Sequence, residues 1–438
     1  MKRSSLFLSL FLASLVSFAS AQEETRTWTN TKGQKIEASV VKQEGDKVTL
    51  LLASGKEATI GKDTLSAEDQ EYLAGLMTKP DDPAPAAPEP TKPGETPEAP
   101  DDLPVELPAD FKPVPGHPET EVEIDRETIV PLREKFEGGR VDDYVTLRSI
   151  TTPHFLILHD AKNTKAGDLA QTAEKIYAGL VAQYYGFEDR FGDGRYLLMV
   201  ASEEESWQGM AGWHYGSAAP SENQLKAWKK EKSHLTTVKD DFQASHGLGS
   251  RGLILDGSDR DRVSGKFPAF ATHQLEYALF SLLLGEAKLT DPGVYPFLIG
   301  HTYFKESLLA GEATTAVIDK SDYARDKFAE KSDFAEGKNW AKTAKSMIAK
   351  EEIKPSLGDV LEQGLSGIQP TDFVLMYSLA AFMNRSEQLL RGKNQMLLNI
   401  AKTKEGPSAS EFASALGFES VEAFEKEWLE FIASRDFE

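Results

Sequence analysis

Residues 270–284 read FATHQLEYALFSLLL, and the interpretation of the whole chain turns on them. The run is helical in pattern, and His273, Gln274, Glu276 and Tyr277 fall within little more than one turn of it. On a helix, residues i and i+4 lie about 40° apart on one face, so His273 and Tyr277 point the same way. Glu276, at i+3, lies about 60° from His273 on the side away from Tyr277. This is either an amphipathic helix that happens to carry a histidine or the polar centre of a site. A later segment, YFKESLLAGEA at 303–313, contributes a further buried-helix candidate with Glu306, 33 residues beyond His273.

Working outward, three apolar runs precede this helix: HFLILHD (154–160), RYLLMVA (195–201) and RGLILDG (251–257). Each reads as a buried strand. Between the first two, Leu169, Ala173, Ile176, Leu180 and Tyr184 recur at spacings of three and four, the stripe of an amphipathic helix. Ser202-x-x-Glu205 resembles a capping box that opens another helix at Trp207. Everything after about residue 267 is helical in pattern, ending with Val421, Phe424, Trp428 and Phe431 on one inner face. A small sheet with helices followed by a helical half is an α+β arrangement.

Upstream, residues 79–121 hold 13 of the 22 prolines and 11 acidic residues against three lysines. Proline removes backbone donors and like charges repel, so this linker is expected to be extended and unpacked. It separates the large domain (122–438) from a small module (22–78). In that module short runs alternate with turns at Lys32-Gly33, Glu44-Gly45-Asp46 and Ser54-Gly55, and Val48, Leu50 and Leu52 give the period of a half-buried strand. Ser66 and Asp69 then resemble a cap on a short helix carrying Tyr72 and Leu73. The pattern predicts a small, strongly curved β-barrel of SH3-like type. At the very start, Lys2-Arg3, the apolar run Leu6–Phe18 and Ala19-Ser20-Ala21 have the form of a secretory signal peptide over residues 1–21. Export, to periplasm or exterior, is the expected location.

Composition excludes some functions. There are no cysteines, so a thiolate metal site is impossible and only His, Asp and Glu remain as ligands. A net charge of −21 argues against nucleic acid and anionic membrane surfaces as partners. No later segment reaches the roughly 18 apolar residues of a membrane span. No G-x-S-x-G elbow, phosphate-binding glycine loop or calcium loop is present. His154 and His159 flank a strand on opposite faces; His301 lies about 140° round its helix from Glu306. His214, in GMAGWHYG, reads as a surface loop that could line a cleft.

Two family resemblances rest on these motifs. RTWTNTKGQKIEASVV through KVTLLL, GKE and LSAEDQEYL (about residues 26–73) resembles the Sla-type homology domain, an SH3-like module that binds short peptides in an endocytic adaptor. Residues of about 150–435 resemble peptidase MA-like, or gluzincin, domains. There HQLEY stands where the family has H-E-x-x-H, and YFKESLLAGEA where it has the helix of the third zinc ligand. FVLMYSLAAFMNR (373–385) and ALGFESVEAFEKEWLEFI (415–432) resemble the late helices. The resemblance implies that His273 and Glu306 meet in a cleft beneath the strand at 251–257, taken as the substrate-side edge. It also implies departures. Gln274 replaces the general base, and an amide cannot take a proton from water near neutral pH. Tyr277 replaces the second histidine, and a phenol with a reference pKa near 10 is a poor ligand. His273, Glu276 and Glu306 remain as a weak candidate zinc set, short of a base.

The fold expected is therefore multidomain: an SH3-like β-barrel, a Pro-rich linker, and an α+β zincin-like domain with a largely helical C-terminal half. The function expected is a non-catalytic protein that binds peptide or protein and needs no cofactor. The alternatives are an active zinc metallopeptidase with unusual ligands and a cell-envelope scaffold.

Overall fold

The structure is a computed structural model and describes residues 26–29, 31, 35–44, 47–52, 57–66, 69–70, 73, 106–114, 119–132, 145–160, 165–215, 221–257, 267–311, 313, 340–365 and 368–437. The expected signal peptide, most of the expected linker and the tips of the small module's turns lie outside these residues. The chain divides into two compact units, Met1–Ala99 and Pro100–Glu438.

The first unit is an antiparallel meander of β1 (Arg26–Thr29), β2 (Lys35–Glu44), β3 (Lys47–Leu52) and β4 (Glu57–Gly61), in that spatial order. Its core is Trp28, Ala38, Val48 and Leu50, which strand pleating sends to one face, together with Leu65 and Leu73 from the segment after the 3-10 turn. The Trp28 indole N–H, which burial would otherwise leave unpaired, donates to the Ala38 carbonyl at 2.8 Å. Among the described residues the sheet does not close into a barrel. A 3-10 turn (Lys62–Thr64) does lead the chain back beside β1: Thr31 N–H donates to Thr64 O and Ser66 N–H to Thr29 O. The Asp69 carboxylate accepts from the Thr29 N–H at 2.7 Å and from the Ser66 hydroxyl at 3.0 Å, tying the short helix to the sheet.

The second unit is built on a six-stranded mixed sheet. Its strands are β5 (Asp125–Leu132), β6 (Val145–Thr151), β7 (Phe155–His159), β8 (Arg195–Ala201), β9 (Ser233–Thr237) and β10 (Leu248–Asp256), in the order β5-β6-β7-β8-β10-β9. β7, β8 and β10 run parallel; the outer pairings are antiparallel. The strand at 251–257, expected at the edge, is therefore interior. Its burial shows why: Leu253, Ile254 and Leu255 are all covered, so both faces are apolar, as a strand with neighbours on both sides requires. The edge is β9, whose Ser-His-Leu-Thr-Thr sequence carries too little apolar character to be noticed.

One sheet face is covered by α1 (Ala166–Gln183), α2 (Phe187–Phe191) and the helical half: α6 (Phe267–Phe280), α7 (Tyr295–Ala310), α8 (Trp340–Ala349), α9 (Leu357–Leu361), α10 (Pro370–Met383), α11 (Glu387–Thr403), α12 (Ala409–Ala415) and α13 (Val421–Ala433). The other face is covered by α3 (Glu204–Tyr215), α4 (Glu222–Lys230) and α5 (Asp240–His246), with Trp207, Met210, Trp213 and Trp228 in its core. Gly300 lets α7 lie against α10, since a Cβ there would meet the Met376 carbonyl at 2.4 Å. The predicted inner face of α13 is buried at Phe424, Trp428 and Phe431. No helix among the described residues is long and apolar enough to cross a membrane.

Two local expectations are corrected. Helix α3 starts at Glu204, not through a Ser202 cap: the Asp160 carboxylate at the end of β7 accepts from the Ser202 and Glu203 N–H groups instead. The end of the linker is also packed, not free. Gln171 brackets Val122 with two bonds to its backbone, Gln183 donates to the Val114 carbonyl at 3.0 Å, and Pro113 is buried. Side-chain amides on α1 supply the backbone partners that a proline-rich strap lacks. Phe111 adds an edge contact to Tyr185, and Arg391 lies over its ring while donating to its carbonyl.

Candidate functional site

Helices α6 and α7 lie side by side, and they bring His273 and Glu306 together. Nδ1 of His273 is 2.8 Å from Oε2 of Glu306, with the side chains 3% and 0% exposed. Burial pushes the imidazole down to about 3, so the ring is neutral at neutral pH. Tyr303 packs edge-on against it at 4.7 Å. Gln274, at the position of a base, accepts from the Ser233 hydroxyl of β9 at 2.7 Å. The amide thus links α6 to the edge strand. Tyr277 is largely covered, and burial pushes its phenol up to about 12, which keeps it neutral.

Glu276 does not join this pair. Its Oε2 is 3.1 Å from Nε2 of His301 on α7, and both side chains are fully buried. Around them lies a polar cluster that sequence reading missed. Nδ1 of His301 is 3.3 Å from the Tyr184 hydroxyl, and Lys393 donates to that hydroxyl at 2.7 Å. Lys305 donates to the Gln183 side-chain oxygen; Asn394 donates to the Gln183 carbonyl and its own oxygen accepts from the Tyr185 N–H. Burial raises the Glu276 carboxyl, and the two lysines partly offset that. Burial likewise lowers both lysines, with Lys305 repelling Lys393. A sequence signal existed: Lys393 and Asn394 sit on the same stripe of α11 as Leu389, Leu390, Leu397 and Ile400.

The remaining histidines fall elsewhere. His154 pairs with Glu174 at 2.8 Å and stacks on Tyr177; His159 bonds the Asp160 carbonyl. His214 is on α3 and half-buried, not in a surface loop, because its helix packs Trp207, Met210 and Trp213 on the sheet.

A zinc ion does not fit the residues at His273. The two groups that match ligand positions are spent on a direct hydrogen bond, the i+4 position is a neutral phenol, and Glu276 is turned to His301. One imidazole and one carboxylate are fewer than the three protein ligands that catalytic zinc needs. Among the described residues no three His, Asp or Glu side chains form a group that could hold a metal. What the arrangement can do chemically is fasten helix to helix and helix to sheet through buried polar pairs. No family model, no curated protein and no solved structure matches the chain.

Proposed function

We propose that this is an exported, non-catalytic binding protein whose large domain is a zincin-like fold with its zinc chemistry lost, tethered to an SH3-like module. The observation that carries the reading is the buried His273–Glu306 contact across α6 and α7 at 2.8 Å. Two residues 33 positions apart meet where a metallopeptidase would hold two of its ligands, while Gln274 and Tyr277 occupy the base and second-imidazole positions. An amide has no basicity to activate water, so hydrolysis is not the use of this site. The return of residues 64–66 alongside β1 supports the SH3-like reading of the small module.

The ligand proposed is an extended peptide. Strand β9 has a neighbour on one side only among the described residues, and an unpaired strand edge is a template for β-addition. Ser233 of that strand touches Gln274, so such a peptide would run beside the altered motif. The test is metal content and turnover of the intact secreted chain, with unstructured peptides as probes. The reading expects peptide binding without cleavage and no zinc-dependent rise in melting temperature that depends on His273. Cleavage abolished by chelator and by His273→Ala contradicts it.

A further inference from the structure

On the sheet face opposite the His273 site, α3, α4 and β9 enclose a second group of histidines. His234 stacks on Trp228 with ring centres 3.9 Å apart and planes 5° apart, and Trp207 lies 4.4 Å from Trp228. The His214 ring centre is 5.3 Å from that of His234. Four polar atoms here are buried without a hydrogen-bond partner: Trp207 Nε1, His214 Nδ1, His234 Nε2 and Thr236 Oγ1. Trp207, His234 and Thr236 are themselves 2%, 7% and 7% exposed. Leaving a buried polar group unpaired is unfavourable, so four such atoms around these rings call for an occupant.

The chemistry of the four atoms narrows the choice. Nδ1 of His234 lies 3.3 Å from the Glu231 carboxyl group, and Nε2 is the ring nitrogen left without a partner. A carboxylate behind one imidazole nitrogen with the other left free is the arrangement that orients metal-binding histidines. Two imidazoles on one tetrahedral ion, with metal–nitrogen distances of about 2.0–2.1 Å, have ring centres roughly 5 Å apart. His214 and His234 meet that spacing. Alternation along β9 puts Thr236 on the same face as His234, adding a hydroxyl oxygen. Trp207 adds an N–H suited to hold a metal-bound water.

We propose that His214 and His234, oriented by Glu231 and assisted by Thr236, bind a divalent late transition-metal ion that favours imidazole, such as Cu²⁺ or Zn²⁺. The site is independent of His273 and Glu306, which lie on the other side of the sheet. Titrating the tag-free full chain with copper or zinc chloride tests it, followed by calorimetry and by quenching of tryptophan fluorescence with Cu²⁺, since Trp207 and Trp228 adjoin the ligands. One equivalent should bind. His234→Ala and His214→Asn should each weaken binding at least about 100-fold and remove the quenching, and Glu231→Gln should weaken it about 10-fold. His273→Ala should leave it unchanged. If His234→Ala fails to fold, His214→Asn and Glu231→Gln still decide the matter. No uptake, or uptake indifferent to these substitutions, would mean that water alone satisfies the four atoms and would overturn the proposal.

Discussion

Removing Glu306 should expose the energetic role of the buried pair. In Glu306→Ala the His273 ring, 3% exposed, loses its partner at 2.8 Å. With the imidazole neutral, leaving it buried without its partner costs about 1–3 kcal/mol. Replacing both members with leucine removes the polar demand altogether and should leave stability within about 1 kcal/mol of the parent, or above it. A cycle of the parent, His273→Leu, Glu306→Leu and the double variant should therefore give a coupling of about 1–2 kcal/mol. Urea unfolding followed by fluorescence measures each corner. At the entropy of unfolding usual for a unit of this length, Glu306→Ala should lower the melting temperature by about 3 °C. A cost below about 1 kcal/mol together with zero coupling would refute the reasoning.

Other perturbations test other parts. Arg391→Ala removes the donor to Phe111 O and the cation over its ring, so chymotryptic cleavage after Phe111 should rise several-fold with little change in the midpoint of global unfolding. Trp28→Phe deletes one buried hydrogen bond of the first unit and should cost about 1 kcal/mol there, leaving the second unit's transition in place. Burial holds His214 at about 4, His234 at about 3 and His273 at about 3, all below the ordinary value of 6.5. The unfolded chain then takes up protons that the folded chain refuses, so the contribution of each is intact above about pH 6.5 and is lost as pH falls toward the folded value. Glu276, raised by burial, acts in the opposite sense. His214→Phe should therefore flatten the fall in urea midpoint between pH 7 and pH 5 by an amount equivalent to about 2 kcal/mol, and an unchanged curve would refute this assignment.

Much of the fold was legible because it rests on periodicity. The apolar runs at 154–160, 195–201 and 251–257 are the three parallel strands, and the stripe Leu169, Ala173, Ile176, Leu180 is the buried face of α1. The approach of Glu306 to His273 was expected from the resemblance of their two segments to zinc-peptidase helices, not from periodicity. What escaped has a common cause: its stability comes from partners distant in sequence. Strand β9 depends on its pairing with β10, β5 and β6 carry weak patterns of their own, and the linker's docking depends on Gln171 and Gln183. The cluster of His301, Lys305 and Lys393 went unread: the stripe of α11 places Lys393 inward, but its partners lie on helices distant in sequence. The interior position of the 251–257 strand reversed an expectation for the same reason.

The most direct test of the account is zinc uptake by a rebuilt motif. Gln274→Glu with Tyr277→His recreates H-E-x-x-H beside the existing Glu306, and a His234→Ala background keeps the second histidine group from contributing. If α6 and α7 carry zincin geometry, the variant should bind one zinc ion that is lost on adding Glu306→Gln, whereas the same background without the two changes should bind none at His273. A variant that folds normally yet takes up no zinc would contradict the account, because the helices would then not be placed as a zinc peptidase places them.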